Sequence, residues 1–164
     1  MLRTDALRAV MRAEWRMQGA ELSGREFVEA IVEGRLPQPP MLETLAIRII
    51  VVGDGYAVLE GTPGPQHLHG GPVVHGGYAL TMIDAAAGSA ANTLRPAQGR
   101  IGTIETKVNL LKAITVDTGT VRATGRVVSA GRRIVVVEAR LTAPDSDLLA
   151  FGTSTLMLTP PPTA

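Results

Sequence analysis

The chain has no cysteine, few aromatic side chains, almost no net charge and no long uninterrupted apolar run. Without cysteine there is no disulfide, no thiolate nucleophile and no Cys-ligated zinc or iron–sulfur centre, which suits a reducing compartment. One Trp, two Tyr and two Phe among 164 residues cannot build a stacking platform for single-stranded nucleic acid. Sixteen Lys and Arg against fifteen Asp and Glu give a formal charge of +1, so no basic field attracts a phosphate backbone or an anionic lipid surface. The longest apolar tract, Tyr78 to Leu94, is interrupted by Asp84 and is too short to span a bilayer. Arg3, Asp5, Arg8, Arg12, Glu14 and Arg16 leave no apolar stretch for a secretory signal. The expectation is a soluble, cytoplasmic protein with neither a nucleic-acid nor a membrane partner.

Hydrophobic residues make up 45% of the chain, enough for one core of aliphatic side chains in one domain of ordinary size. The run Leu36 to Pro40, LPQPP, cannot continue a helix, because proline lacks the N–H donor and restricts the residue before it. It divides an N-terminal helical extension with a Pro-rich link, residues 1–40, from a main domain, residues 41–160. In the extension Leu7, Val10, Met11 and Trp15 recur at helical spacing. Ser23 with Glu26 is a capping box that opens a short helix through Phe27, Ile31 and Val32 to a stop at Gly34.

From Leu45 the hydrophobic period changes to two, predicting a hairpin of strands 45–52 and 56–61 about Gly53-Asp54-Gly55. A Gly/Pro/His-rich loop follows, Thr62 to Val74, and then a helix from Gly76 to about Leu94. That helix is apolar almost all round and is expected to be surrounded by protein. Its run of Ala85, Ala86, Ala87, Gly88, Ala90 and Ala91 lets other backbones approach closely. The rest reads as strands at 101–111, 116–129, 132–142 and 148–158, with turns at Asp117 to Gly119, Ala130-Gly131 and Pro144 to Asp147. Helices do not alternate with strands, so the class is α+β.

All three histidines, His67, His69 and His75, fall within nine residues, and Asp84 follows nine positions after the last. One reading is a metal site with these four ligands; the plain alternative is solvated loop histidines, which suits His67 best. Asp84 stands in a helix with no polar face, where its carboxylate is expected to be desolvated. Desolvation makes a carboxylate a better base or nucleophile at neutral pH. Alternatively a buried hydrogen bond or ion pair satisfies it, with a partner from elsewhere in the fold, since no basic residue lies within one helical turn. His75-Gly76-Gly77 stands where the first helical N–H groups lack acceptors, and its glycines let a carbonyl oxygen approach the backbone. Oxyanion donors and a carboxylate two turns along one helix point to addition to a polarised carbonyl, hence acyl transfer.

The stretch HLHGGPVVHGGYALTMIDAAAG resembles the hotdog-fold acyl-CoA thioesterases, in particular the phenylacetate-degradation (PaaI) type. The spacing agrees: a polar residue, here His69, then His75-Gly76-Gly77 six residues on, then an acid, Asp84, nine after that histidine. SGREFVEAIVEGRLPQPP and TIETKVNLLKAI resemble the family's leading helix with its proline link and its third strand. The resemblance implies a hotdog fold, a curved antiparallel sheet wrapped round the Gly76 helix. It also implies a homodimer or homotetramer with active sites at the subunit interface. Asp84 then acts as nucleophile or general base on a thioester, and the Gly76 N–H of the neighbouring subunit polarises the carbonyl, with Gly77 beside it and His75 shaping the loop. His69 stands where the family usually has Asn or Gln, and Thr103 best matches a water-positioning Ser or Thr, with a one-residue shift in spacing.

Tyr78 and Met82 are expected beside the acyl group, and Lys112, Arg132 and Arg133, at a strand end and a hairpin turn, near the phosphates of coenzyme A. A medium-chain aliphatic or an aryl acyl group suits the composition. No cofactor or metal is expected beyond the coenzyme A of the substrate. Two rivals are a hotdog-fold enoyl-thioester hydratase or dehydratase, whose loop carries proline and glycine and whose helix carries glutamate, and a non-catalytic acyl-CoA-binding protein. A zinc hydrolase is a more distant third.

Overall fold

The computed structural model describes residues 21–161, and the predicted helical stripe of Leu7 to Trp15 lies outside them. Ser23 caps the first described helix, α1 (Gly24–Val32), with both arms of the capping box formed, and the chain leaves it through Gly34 at φ 75°. A one-and-a-half-turn helix, α2 (Pro40–Thr44), starts at the proline link. There follow β1 (Ile47–Gly53), β2 (Tyr56–Gly61), the long helix α3 (Gly76–Asn92), β3 (Arg100–Leu110), β4 (Val121–Ala130), β5 (Ile134–Thr142) and β6 (Leu148–Thr159). All six strands form one antiparallel sheet in the order β1-β2-β4-β5-β6-β3. With α3 packed across it, this is the hotdog arrangement expected from the sequence.

Most predicted elements fall within two residues of their places. The exception is β4, which starts at Val121 rather than 116, because Val116–Thr118 forms a 3-10 turn ended by Gly119 at φ 74°. Among the described residues no helix is long and apolar enough to cross a membrane.

The core lies between α3 and the concave side of the sheet. Met82, Ile83, Ala86, Ala87, Ala90 and Ala91 of α3 are fully buried, facing Leu59, Ala123, Val135, Val137, Leu141 and Leu156. The helix is seated on backbone: a Cβ added to Gly125 of β4 would stand 2.3 Å from the Ala86 carbonyl oxygen. A Cβ at Gly152 of β6 would stand 3.2 Å from Cγ2 of Ile83 on the helix, and 2.3 Å from the Lys107 carbonyl oxygen of the neighbouring strand β3. Small residues on both surfaces therefore set the separation of helix and sheet. The expectation that α3 is enclosed all round is corrected. One sheet covers one side of a helix, and Leu80, Thr81, Asp84, Ala85, Gly88 and Ser89 remain at least partly open in the single chain.

The two sheet edges differ. At β1 the Gln38 side chain takes the place of a neighbouring strand, accepting from the Ile49 N–H at 2.9 Å and donating to the Ile49 carbonyl at 3.3 Å. The β1 edge is thus blocked at its centre, and the eleven-residue edge of β3 carries no such plug among the described residues. Replacing Gly125 by Ala should destabilise the fold by about 1–3 kcal/mol through overpacking. Gly102→Ala, with nothing within 4 Å of the added methyl, serves as control. Urea unfolding of the two variants checks this, and equal midpoints would refute it.

Candidate active site

Asp84 lies on the open face of α3, partly exposed rather than desolvated. The helix does have a polar face here, because the sheet's far edge meets it with hydroxyls. Thr103 and Thr106 of β3 each donate to Asp84 Oδ1 at 3.0 Å. No hydrogen bond to Oδ2 is formed among the described residues. Thr103, picked out by its family resemblance, therefore touches the carboxylate; Thr106 was not foreseen. In a regular strand, residues three apart face opposite sides. The register shifts between Thr103 and Glu105, a β-bulge that absorbs Ile104 and leaves it exposed. Thr103 opposite Leu156 and Thr106 opposite Ser154 then both face the helix. Thr106 Oγ1 in turn lies 2.9 Å from Ser154 Oγ, which is buried.

At the start of α3, His75 is the N-cap, and its Nδ1 accepts the Gly77 N–H at 2.9 Å. Accepting at Nδ1 places the proton of the neutral ring on Nε2 of this exposed side chain. Of the two glycine N–H groups one is thus consumed, and the Gly76 N–H has no acceptor among the described residues. It combines an open donor with the positive end of a seventeen-residue helix. Eight residues separate Gly76 from Asp84, roughly 12 Å along the axis at 1.5 Å per residue.

The remaining candidates are scattered. His67 is buried, not solvated as expected: the Gly64 N–H donates to its Nδ1 at 2.9 Å, its carbonyl accepts from His75 N–H at 2.8 Å, and its ring lies 4.8 Å from that of Tyr78. With Nδ1 of both His67 and His75 occupied, the four-ligand metal arrangement is not assembled, and no three His, Asp or Glu converge among the described residues. His69 is exposed on the loop, its N–H bonded to the Val73 carbonyl. Tyr78 and Met82 are corrected from pocket to core: both are buried against Gly61, on the sheet side of α3 and away from the face that carries Asp84. Lys112 pairs with Asp147 just beyond the end of β3, near Leu110 and Gly76. Arg132 and Arg133 are exposed at the β4–β5 turn, beside the end of β6 and separated from β3 by that strand, so one chain does not gather the three cations.

Burial pushes the Tyr78 hydroxyl up to about 12 from the usual 10. A raised folded-state value makes a contribution that is complete below pH 10 and disappears as pH rises through 12. The urea midpoint of the native protein should therefore fall more steeply across pH 10–12 than that of Tyr78→Phe. Parallel curves would contradict this account.

A family model described as the thioesterase superfamily matches residues 71–150, the stretch that holds the end of the loop with His75, α3, the hydroxyl strand β3, β4 and β5. A conserved protein of Pseudomonas aeruginosa of known structure is 31% identical, covering 73% of this chain and 94% of that one, with a TM-score of 0.68. A thioesterase family protein from Silicibacter pomeroyi is 27% identical over 80% of this chain and 98% of its own, TM-score 0.71. The PaaI protein from the phenylacetic acid degradation operon of Escherichia coli, at 22% identity, covers 82% of this chain and 95% of its own with a TM-score of 0.70, and shares the fold.

Proposed function

This chain belongs to the thioesterase superfamily, and from that premise we propose that it hydrolyses acyl-CoA thioesters to the free acid and coenzyme A. The observation that carries the reading is Asp84, fixed through Oδ1 by Thr103 and Thr106 and open at Oδ2, on the same helix as an uncommitted Gly76 N–H. In the reaction, Oδ2 takes a proton from water as the water oxygen adds to the thioester carbon; on the alternative route Oδ2 itself adds, and the acyl–Asp84 anhydride left after the sulfur departs is hydrolysed by water to the free acid and Asp84. The carbonyl oxygen gathers negative charge, which the Gly76 N–H stabilises. The C–S bond then breaks, and the coenzyme A sulfur leaves as a thiol after taking up a proton.

With Gly76 and Asp84 about 12 Å apart along the helix axis, the proposed site takes one group from each of two chains. Antiparallel pairing of two open β3 edges sets the first half of one strand, where Thr103 and Thr106 hold Asp84, beside the end of the other, where Leu110 meets Gly76. Lys112 of one chain, with Arg132 and Arg133 at the β4–β5 turn of the other, beyond β6 from the paired edge, are the cations proposed for the phosphates of coenzyme A. His75 supports the loop by capping, and His69, on the exposed loop, takes the carbonyl-orienting or water-orienting place. The acyl group is a medium-chain or aryl one. The assembly is a homodimer, or a homotetramer of two such dimers.

Free-thiol release from phenylacetyl-, benzoyl- and straight-chain acyl-CoAs tests the reaction. Asp84→Asn should lower kcat by at least about 10²-fold, the range of a lost general base. An unaffected variant, or no thiol release from any substrate by the native protein, would overturn the assignment. Enoyl absorbance changing without thiol release would mark a hydratase instead. Gly76→Pro removes the oxyanion donor at a position where proline suits a helix, and should cost about 10²–10³ in kcat. Mixed, refolded Asp84→Asn and Gly76→Pro subunits should regain about a quarter of native activity, because half the dimers hold one intact site. No recovery would rule out the shared site.

A further inference from the structure

The concave side of the sheet is apolar where it meets α3, with one unexplained intrusion: Ser154, 1% exposed, between Gly152 and Leu156 on the inward row of β6. A hydroxyl in such a place costs free energy unless it is hydrogen bonded. Its partner is Thr106, directly opposite in the β3–β6 register, at 2.9 Å between the two oxygens.

Counting protons fixes the direction of every bond. An ionised Asp84 only accepts, so the single hydroxyl proton of Thr106 goes to Oδ1 at 3.0 Å. Thr106 then has only lone pairs to offer Ser154, and the serine must donate. Thr103 donates to the same oxygen at 3.0 Å. Both threonine protons therefore converge on Oδ1, and Oδ2 is left bare toward the open side.

From this chain the geometry points to Ser154 as a positioning residue for the proposed thioester hydrolysis, acting at Asp84 only through Thr106. By donating to the Thr106 oxygen, Ser154 holds that hydroxyl in the rotamer that aims its proton at Oδ1 and strengthens it as a donor. The carboxylate is thereby pinned on one oxygen and presents the other. The assignment rests on the reading of Asp84 as the reacting carboxylate, and it adds a residue on a neighbouring strand, away from the substrate.

The test is epistasis. Ser154→Ala should lower kcat roughly fivefold, the size of one net hydrogen bond, with KM unchanged. Thr106→Val, equal in shape but without the hydroxyl, should lower kcat more, and adding Ser154→Ala to it should change nothing further. Thr106→Ser keeps the hydroxyl and should keep both most of the activity and the sensitivity to Ser154→Ala. A Ser154→Ala effect of equal factor in both backgrounds, an effect on KM alone, or no effect at all would overturn the role. A double-mutant cycle of Ser154→Ala and Thr106→Val in urea unfolding reads the hydroxyl contact without reference to activity, and zero coupling would refute it. A native protein that releases no thiol from any acyl-CoA brings down the functional reading and the positioning role together, while non-zero coupling in that case would still uphold the hydroxyl chain itself.

Discussion

The structure depends on how closely α3 sits on the sheet. Where Gly125 faces the backbone of Ala86 there is no room for a single methyl group, and at Gly152 the side chain of Ile83 leaves little more. At that separation only alanines fit along much of the buried face of the helix, which is why a domain with so few aromatic residues still closes its core. The same seat decides what the opposite face of the helix can do. Pressed against the sheet on one side, α3 turns Asp84 toward the β3 border, where two threonines can reach it. A looser seat would leave the carboxylate free to swing.

Much of this was legible in the residues. The capping box at Ser23, the hairpin about Gly53 to Gly55 and the breadth of the Gly76 helix follow from local rules of spacing and turn chemistry, and each formed as read. The pattern His75-Gly76-Gly77 followed by Asp84 placed the two chemical groups on one helix correctly, since both are fixed by helical geometry alone. Tertiary packing decided the rest. Thr106 is hidden from any alternation rule, because the bulge that turns it inward depends on how β3 is matched to β6. Ser154 looks like any strand serine until its cross-strand neighbour is known. His67, in a loop rich in glycine and proline, read as a solvated residue, yet three contacts draw it under the start of the helix. Tyr78 and Met82 were misplaced because an almost uniformly apolar helix does not reveal which side meets the sheet.

The division of chemistry along α3 has its own logic. A helix offers a good anion site only at its N-terminus, where N–H groups lack acceptors. Its middle can hold a side chain rigidly but supplies no such donor. A carboxylate and an oxyanion donor on one straight helix are therefore kept apart, and in the proposed dimer it is the second chain that brings them to one carbonyl. Symmetry then makes every such contact occur twice.

Gln38 gives that symmetry its limit. A sheet with two receptive edges can accept copy after copy and grow without end, as fibrils do. Here the amide of Gln38 occupies the main-chain donor and acceptor of Ile49 at the outer strand, so growth through that border stops at the first copy. In the proposed dimer, joining through β3 buries the receptive border of both chains and leaves only plugged ones outside, and the plug would then make a closed, countable particle of what could otherwise be an open polymer.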